Sequence, residues 1–474
     1  MWGRTIRRYG GRRSPRSGAR STGRLGLAVA TAQVLLLWGT AQASAEEVST
    51  KPRIEVAPGI YLASASESLQ AGEAAAERAR APGTESRRET GSARTPRVVG
   101  GRTTKITRWP WQVSIGYLPI DPTDAFKNHG CGGSLVAPTV VVTAAHCMTL
   151  GATDFTLPPE QFQVVTGRTR LSSNLGREHE LEDYFWFVDA QGRPLWRSAT
   201  IEWDVVFILL DSPSPREPIK IAGPGEESVW APGRLAFATG WGSTFAGTDQ
   251  EIDELDAPQS DVLRQARMKM ISNSECDGVY GPALFPEVMV CAGLRAGGVD
   301  VCAGDSGGPL VVPVARGGHR LIGDTSFAEG CGLPRTPGVY GRLAADPIRE
   351  ALAEGIRVIA GAEVIGTGAT PYNRFEFGRQ TRRYRARATK LTVRVPGRGK
   401  VLLHPTKRLR GAVVWPREAG RAHLSLEPLG KARRRLDRAE GHRTVRVPVR
   451  ARVTYTPLGG KPRTAEARVW LARR

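Results

Sequence analysis

The sequence predicts an all-β protein with two folded units in one chain of 474 residues, which is long enough for two or three domains. From Val98 to about Gly341, short apolar runs are interrupted by glycine, proline, asparagine and aspartate. That spacing is typical of a β-barrel or β-sandwich. From Thr444 to Pro457, apolar and polar residues alternate strictly. This alternation is the period of a strand with one buried face.

Individual elements follow from the local patterns. In the first unit the apolar runs predict strands over Gln112–Ile115, Ser134–Val136, Val140–Ala144, Gln163–Thr166, Val205–Leu210, Leu235–Thr239 and Leu310–Val312. The run Asp346–Ile356 predicts a helix, because its apolar residues recur every four positions and Pro347 suits a first turn. In the second unit we expect strands over Leu391–Val395, His423–Leu426, Thr444–Pro457 and Ala465–Leu471. Pro448 lies on the polar face of its run, which favours an edge strand.

The formal net charge of +21 is unevenly distributed. Residues 1–24 carry +8 and residues 371–474 carry +23, whereas the residues between them carry −10. A charge of +21 suggests a nucleic-acid binder. However, no RNA-binding motif or interleaved aromatic platform accompanies the C-terminal arginines, so nucleic acid is the disfavoured partner. The remaining interpretations are a solvated arginine face and attachment to an anionic cell-envelope polymer or to an acidic substrate.

The N-terminus has the features of an export signal. A basic start is followed by a short apolar stretch from Leu25 to Trp38 and by small residues from Ala41 to Ala45. The alternative, a single anchoring helix, is disfavoured because the stretch is short for a bilayer span. We therefore expect a secreted protein, and the choice between Sec and twin-arginine export stays open.

The chain divides into five predicted segments. They are a signal peptide (1–45), a pro-segment or spacer (46–97), the first folded unit (98–360), a linker (361–384) and a basic β-sandwich (385–474). The pro-segment is neutral and contains a helix-permissive run, Ala71–Ala81. All six cysteines lie between residues 131 and 331, without metal-ligand spacing. An even number in an exported chain predicts three disulfides, although the number alone does not define the pairing.

Three separated segments hold residues with catalytic chemistry: Thr143–Cys147, Asp204–Phe207 and Cys302–Leu310. Taken singly, each is ordinary turn or cap chemistry. Together, in the order His, Asp, Ser, they supply an imidazole base, a carboxylate to orient it and a hydroxyl nucleophile.

With these segments the sequence resembles the trypsin-like (chymotrypsin-fold) serine proteases over about residues 98–355. The resemblance rests on the motifs Arg97-Val98-Val99-Gly100-Gly101, Trp109-Pro110-Trp111, Cys131-Gly132-Gly133-Ser134-Leu135, Thr143–Cys147, Gly240-Trp241-Gly242, Cys302–Leu310 and Pro337-Gly338-Val339-Tyr340. It implies two six-stranded antiparallel Greek-key barrels with a C-terminal helix, and a secreted serine endopeptidase acting on proteins or peptides. The basic unit resembles small β-sandwich modules at the C-termini of exported actinobacterial proteins.

The resemblance also implies residue roles, which are those of the Ser-His-Asp triad for which this family is the worked case. Ser306 is the implied nucleophile, His146 its base, and Asp204 the carboxylate that orients His146. The N–H groups of Gly304 and Ser306 are the implied oxyanion hole. The resemblance implies no cofactor and no metal.

The implied disulfides use all six cysteines, as Cys131–Cys147, Cys276–Cys291 and Cys302–Cys331. Three acidic residues, Glu178, Glu180 and Glu182, alternate along the chain. We interpret them as a solvated strand face, and a calcium loop is the alternative.

By the same resemblance, Arg97 precedes an activation cleavage site. Cleavage there would free the amine of Val98, which would pair with the buried carboxylate of Asp305. The chain would thus be made as a zymogen, since a buried carboxylate without its cation is disfavoured.

Asp300 lies where trypsin-like members hold the acid at the base of the S1 pocket, and Gly338 matches a glycine of the pocket wall. The implied cleavage is after Arg or Lys. Three departures are Val301, which replaces a small polar residue, Phe327, which replaces the usual tryptophan, and Ala328, which replaces a wall glycine. The alternative function is a catalytically silent, protease-like adhesion or binding protein, and the intact His146, Asp204 and Ser306 argue against it.

Overall fold

The computed structural model describes residues 53–66, 99–118, 124–149, 155–254, 258–378, 389–438 and 445–473. Its regular structure is mainly antiparallel β-sheet, which confirms the all-β prediction. The predicted signal peptide, the helix-permissive run Ala71–Ala81, Arg97 and Val98 lie outside the described residues. Among the residues that are described, no helix is long and apolar enough to cross a membrane.

The first half of the first folded unit is a nine-stranded sheet. Its strands are β1 (Glu55–Ala57), β2 (Ile60–Ser64), β4 (Gln112–Tyr117), β5 (His129–Ala137), β6 (Val140–Thr143), β7 (Phe162–Thr166), β8 (Arg177–His179), β9 (Leu181–Val188) and β10 (Val206–Leu210). Strand β3 (Arg102–Thr103) lies between β2 and β4 in the chain but belongs to the other sheet. The order in the sheet is β1-β2-β9-β10-β6-β5-β4-β7-β8. The predicted strands of this half are all present, with ends within two residues of those expected, except that β5 begins five residues before the predicted run at Ser134.

The first two strands form an N-terminal hairpin (residues 53–66) that we did not predict. Strand β2 pairs with β9 from Tyr61 opposite Val188 to Ser64 opposite Phe185. The hairpin belongs to the segment interpreted as a pro-segment or spacer. Its two strands are too short to show a clear period in the sequence, and packing against a remote strand stabilises them.

The second half is a closed six-stranded barrel. Its strands are β11 (Leu235–Gly240), β12 (Arg264–Met270), β13 (Met289–Gly293), β14 (Pro309–Pro313), β15 (His319–Phe327) and β16 (Gly338–Gly341). They run in the order β11-β14-β15-β16-β13-β12, and β12 pairs back with β11. Strand β3 adds to the free side of β12. The closed barrel leaves the loop before β14 and the end of β15 facing the first sheet.

Helices are short, with one exception. They are α1 (Ala125–Asn128), α2 (Glu227–Trp230), α3 (Asp249–Glu254), α4 (Asn273–Tyr280), α5 (Ile348–Ala360) and α6 (Gly430–Asp437). The 3₁₀ turns are Ile106–Arg108, Ala145–Met148, Pro159–Gln161, Gly281–Ala283 and Ala315–Gly317. Helix α5 is the predicted helix and buries the expected face of Ile348, Leu352 and Ile356. Pro347 is its N-cap residue and lies just before the first turn.

The C-terminal unit is a two-sheet sandwich, as predicted. Its strands are β17 (Glu376–Phe377), β18 (Thr389–Val395), β19 (Gly399–Leu403), β20 (Ala412–Val414), β21 (Gly420–Leu426), β22 (Val445–Pro457) and β23 (Arg463–Arg473). One sheet has the order β17-β18-β21 and the other β20-β19-β22-β23. Strand β17 lies inside the predicted linker, and α6 was not predicted. Strand β22 pairs with β23 throughout but with β19 only at residues 453–457, so Pro448 lies where its other edge is open.

The sandwich packs on the closed barrel through a buried arginine. The guanidinium of Arg234, which is 5% exposed, donates to the backbone carbonyls of Ser228, Arg398 and Leu458. An ion pair between Lys269 and Glu418 lies at the same junction, with 2.6 Å between Nζ and Oε1. The two units therefore share hydrogen-bonded contacts in addition to the connecting chain.

Candidate active site

The six cysteines form three disulfides: Cys131–Cys147, Cys276–Cys291 and Cys302–Cys331. These are the pairs that the family resemblance implied. The first joins β5 to the 3₁₀ turn that carries His146, and the third joins the loop before β14 to the chain after β15. The sulfurs of Cys131 and Cys147 lie within 4.8 Å of a nitrogen of His146. Because both are oxidised, they offer no thiolate to a metal.

His146 and Asp204 form a hydrogen-bonded pair. Oδ1 of Asp204 accepts the backbone N–H of His146 at 2.9 Å, and Oδ2 lies 2.8 Å from His146 Nδ1. Burial favours a lower pKa for His146, but the charge and hydrogen bond of Asp204 outweigh it and raise that pKa above its ordinary value. Burial favours a higher pKa for Asp204, but the interactions with His146 and Ser326 outweigh it and lower that pKa. The geometry suits an imidazole held in one tautomer by an ionised carboxylate.

Local backbone conformation and a third donor hold Asp204 in place. Ile201 and Trp203 adopt left-handed φ values of 54° and 53°, which turn the chain into β10 directly after Asp204. Non-glycine residues adopt such angles only where the surroundings enforce them. The hydroxyl of Ser326, at the end of β15, donates to Asp204 Oδ2. Ser326 has a positioning contact that the sequence did not assign to it.

The loop carrying Ser306 is pressed against the segment that carries His146. The backbone carbonyl of Ser306 accepts the N–H of Gly132 at 2.7 Å. A methyl group on Gly307 would lie 2.0 Å from Thr143 Oγ1, and φ of Gly307 is +71°. Only glycine fits there, because both the space and the angle exclude a side chain. The structure thus brings Ser306 beside the strand that leads into His146.

The groups expected to react are not occupied by other partners. Within the described part of the chain, Ser306 Oγ makes no hydrogen bond, and the backbone N–H groups of Gly304 and Ser306 donate none. Gly304 has φ of +90°, an angle that glycine adopts without strain. N–H groups without a partner can stabilise an oxyanion, and a hydroxyl without a partner can approach a base as substrate binds.

Asp305 is buried in a cradle made by two glycines. Its carboxylate accepts the N–H groups of Gly242 at 2.9 Å and Cys302 at 3.1 Å. A methyl group on Gly240 would lie 2.1 Å from Asp305 Oδ1, so the Gly240-Trp241-Gly242 motif leaves room for this carboxylate. Burial raises the pKa of Asp305 to about 6, although the two hydrogen bonds oppose the shift. A cation placed here would lower that pKa again.

Asp300 lies at the base of a second buried site. Its carboxylate accepts the N–H groups of Val301 at 2.9 Å and Gly332 at 3.1 Å. Burial raises its pKa to about 7 despite these hydrogen bonds. A methyl group on Gly338 would lie 3.4 Å from Asp300 Oδ1, which places Gly338 beside the carboxylate. Ala328 is half-buried in the segment after β15.

Asp324 is a buried carboxyl that the sequence did not single out. It lies on β15, opposite Gly341 in the ladder, and is fully buried. Neither carboxyl oxygen has a hydrogen-bond partner among the described residues. A methyl group on Gly341 would lie 2.3 Å from Asp324 Oδ1, so this glycine makes room for the carboxyl. Burial, and then the charge of Asp204, raise the pKa of Asp324 well above its ordinary value. Burial without a described donor or cation therefore favours the neutral form of this carboxyl group.

Replacing Asp324 by asparagine is expected to make stability less dependent on pH. Since the pKa of Asp324 is higher in the folded chain than in the unfolded one, the folded chain retains a proton that the unfolded chain releases above about pH 4. The wild type therefore loses stability, relative to Asp324→Asn, as the pH rises from about 4 toward the raised pKa of the folded chain, by up to about 1.4 kcal/mol per pH unit.

Urea unfolding at several pH values, in a Ser306→Ala background, measures this difference. Asp277→Asn, at an exposed position, is the matched control and should show no such trend. If the free energies of unfolding of wild type and Asp324→Asn differ by the same amount at pH 4 and pH 8, Asp324 is ionised in the folded chain.

The three alternating glutamates lie at β8 and the start of β9. Glu178 accepts from Arg168 at 2.5 Å and from Gln163 at 3.2 Å, and Glu180 and Glu182 are exposed. Glu178 is thus paired with a cation, an arrangement that fits the strand-face interpretation.

Comparison with known proteins agrees with this geometry. A family model described as Trypsin matches residues 98–347, more than half of the chain. A protein named Trypsin from Saccharopolyspora erythraea is 37% identical over 248 residues, which are 52% of this chain and 94% of that protein. Serine protease 56 of Mus musculus is 35% identical over 256 residues, 52% of this chain and 37% of that protein. Transmembrane protease serine 9 of Rattus norvegicus is 33% identical over 253 residues, 52% of this chain and 21% of that protein.

The closed barrel, its partner sheet and the matching family define a serine endopeptidase, whose substrates are proteins. The chain belongs to the trypsin family. The match ends at residue 347, so the C-terminal sandwich lies beyond it.

Proposed function

We propose that the chain is a secreted serine endopeptidase, made as a zymogen, that cleaves after Arg or Lys through an acyl-enzyme. Ser306 Oγ attacks the scissile carbonyl while His146 takes its proton, and His146 later donates that proton to the leaving amine. Asp204 keeps the proton of the resting imidazole on Nδ1, and the N–H groups of Gly304 and Ser306 stabilise the oxyanion. The observation that carries the proposal is the double contact of Asp204 with His146, together with a serine loop in which the N–H groups of Gly304 and Ser306 have no described partner.

An organophosphonate probe tests the proposal. After cleavage at Arg97, the probe should label Ser306 stoichiometrically, and Ser306→Ala should not be labelled. A folded, cleaved protein that is not labelled would favour the silent binding protein.

We further propose activation by cleavage after Arg97. Val99, the second residue after the proposed cut, is 3% exposed and packs with Cys302 and Cys331. Its carbonyl accepts the N–H of Asp300 at 3.2 Å. The chain after Arg97 thus leads into the Asp300 and Asp305 region, where the new amine of Val98 would supply the cation that the Asp305 carboxylate needs.

Replacing Arg97 by glutamine is expected to leave the proenzyme uncut and poorly active. Because Arg97 fits the proposed specificity, wild-type proenzyme should process itself, whereas Ser306→Ala should stay intact in a protease-free preparation. Mass spectrometry of the N-terminus over time measures both. Processing of Ser306→Ala at the wild-type rate would exclude self-activation.

We expect Arg to be preferred over Lys at the cleaved bond. Val301, which is buried beside Asp300, offers no hydroxyl to help bind a lysine ammonium. A guanidinium can instead pair with the carboxylate through two hydrogen bonds. Matched Arg and Lys peptides measure the ratio of kcat/KM, and equal values would contradict the expectation.

The remaining parts of the proposal concern location. Three disulfides are typical of proteins that fold outside the cytosol, which supports secretion. Arg446, Arg450 and Arg452 are exposed on β22 and are available to an anionic cell-envelope polymer. Salt-dependent retention of the whole protein on isolated cell envelope would support that attachment, and retention that salt does not change would exclude an electrostatic one.

A further inference from the structure

The N-terminal hairpin contacts the catalytic unit through β9 and through the helix α5. It ends at Ser66, and the proposed cut after Arg97 lies 31 positions further along the chain. We propose that the hairpin stays bound after this cut, so that the mature enzyme consists of two non-covalently associated chains. The inference builds on the proposed activation, and it adds a partner that remains on the enzyme.

Apolar contacts carry most of the attachment. Val56, Ile60 and Leu62 are less than 9% exposed and belong to the main hydrophobic core. Ala65 is completely buried in the same core. Removing the hairpin would expose these side chains and the surfaces that they cover, and this exposure is unfavourable in water.

Main-chain and polar contacts give the hairpin its register. Four residue pairs join β2 to β9, so that the hairpin completes an edge that would otherwise present free N–H and C=O groups. The hydroxyls of Ser64 and Ser66 donate to Asp183 Oδ2 at 2.7 and 2.6 Å. Arg53 donates to the carbonyl of Ala190 at 3.2 Å. The polar contacts thus lie at both ends of the paired segment.

No covalent bond would hold the cut segment. All six cysteines pair with one another between residues 131 and 331, and residues 46–97 contain none. Retention therefore depends on non-covalent contacts: the strand pairing, the buried side chains and the hydrogen bonds of Arg53, Ser64 and Ser66.

The hairpin also supports the strand that follows Asp204. A methyl group on Gly355 would lie 3.3 Å from Leu62 Cδ1 and 3.2 Å from Phe207 Cε1, so both side chains pack on this glycine of α5. Phe207 is three residues after Asp204, and β10 pairs with β9 beside it. The hairpin is thus a positioning element for Asp204, and it does not touch the reacting groups described above.

Retention can be tested in a chain that carries Ser306→Ala, to prevent self-digestion. A recognition sequence for a foreign protease, inserted between Ala81 and Pro82, allows a cut in the connection without any use of Arg97. After the cut, both fragments should elute together in native size exclusion in equimolar amounts, and should separate in urea. An N-terminal fragment that elutes alone under native conditions would overturn the proposal.

Matched variants locate the attachment. Leu62→Asp places a carboxylate in the buried contact and should weaken retention about tenfold or more. Ile54→Asp makes the same kind of change at a side chain that is 38% exposed, and should retain the fragment. Leu62→Ala is the milder variant if Leu62→Asp does not fold. Equal retention in Leu62→Asp and Ile54→Asp would contradict the assigned contact.

The positioning role of the hairpin is tested separately, in the enzyme that keeps Ser306. Displacing the cut fragment should lower kcat and the Tm, while KM for a small Arg substrate changes little, because Asp300 lies in a loop of the closed barrel whereas β2 belongs to the first sheet. Unchanged kcat and Tm after displacement would exclude this role. The phosphonate labelling above is independent, so a failed catalytic proposal and a dissociating hairpin give different results.

Discussion

Replacing Asp204 by asparagine is expected to lower kcat by about 10⁴-fold, the size known for this change in the Ser-His-Asp triad of the family. The physical reason is the set of contacts that Asp204 makes. Its two oxygens accept from the backbone N–H and from Nδ1 of His146. The backbone N–H of His146 can only donate, so in Asp204→Asn it would still pair with the oxygen of the side-chain amide. The amide NH₂ would then face Nδ1.

An NH₂ group facing Nδ1 requires that nitrogen to be the acceptor, which moves the ring proton to Nε2. In that tautomer His146 cannot take a proton from Ser306. Rates of hydrolysis of an Arg peptide, together with thermal unfolding, measure the effect. Asp204→Asn should unfold near the wild-type temperature, since the side chain has the same shape.

Ser326→Ala is the graded control. It removes one donor to Asp204 but leaves both contacts with His146, so the expected loss is at most about a hundredfold. Asp204→Asn with activity within tenfold of wild type would contradict the orienting role.

Replacing Asp300 by asparagine has the second largest expected effect. A buried carboxylate that pairs with the cationic side chain of the substrate contributes about 2–5 kcal/mol when the pair is broken, so kcat/KM for Arg peptides should fall roughly 30- to 5,000-fold. Hydrolysis of a peptide with an uncharged residue at that position is the control and should change much less. Equal losses on both peptides would show that Asp300 supports the pocket structurally and does not recognise charge.

The pH dependence of binding provides a second measurement on the same group. Burial raises the pKa of Asp300 to about 7, and a bound guanidinium or amidinium would lower it. Binding then releases a proton below pH 7, so the affinity for benzamidine should fall by up to about tenfold per pH unit as the pH drops below 7. Asp300→Asn should bind weakly at every pH. A wild-type affinity that does not change between pH 5 and 8 would contradict the assignment.

Much of the fold could be predicted from sequence because its signals are local. The alternation of β22 and the four-residue period of α5 lie within single segments, and both were found. Helix α6 was missed because its run of lysine and arginine has little apolar pattern apart from Ala432 and Leu436, which it buries in the sandwich. The strands β17 and β3 are two residues long and have no period to detect.

The residues of the candidate site also divide into those with a local sequence signal and those without one. His146, Asp204 and Ser306 were selected by motif, since their chemistry is visible in residue types and order. Ser326 and Asp324 were not assigned roles, because each acquires one only when β15 passes beneath Asp204. Gly240 and Gly341 likewise gain their meaning from carboxyl groups that lie far away in the sequence.

The sequence by itself determined the class of chemistry and the family, since nucleophile, base and carboxylate are defined by residue type and motif. Only the tertiary structure decided that residues 53–66 belong to the catalytic unit and that Asp324 is a buried, neutral acid. The physical reason is that both depend on long-range contacts. Tyr61 on β2 pairs with Val188 on β9, and Asp324 is shielded from solvent only when Gly341 packs against it.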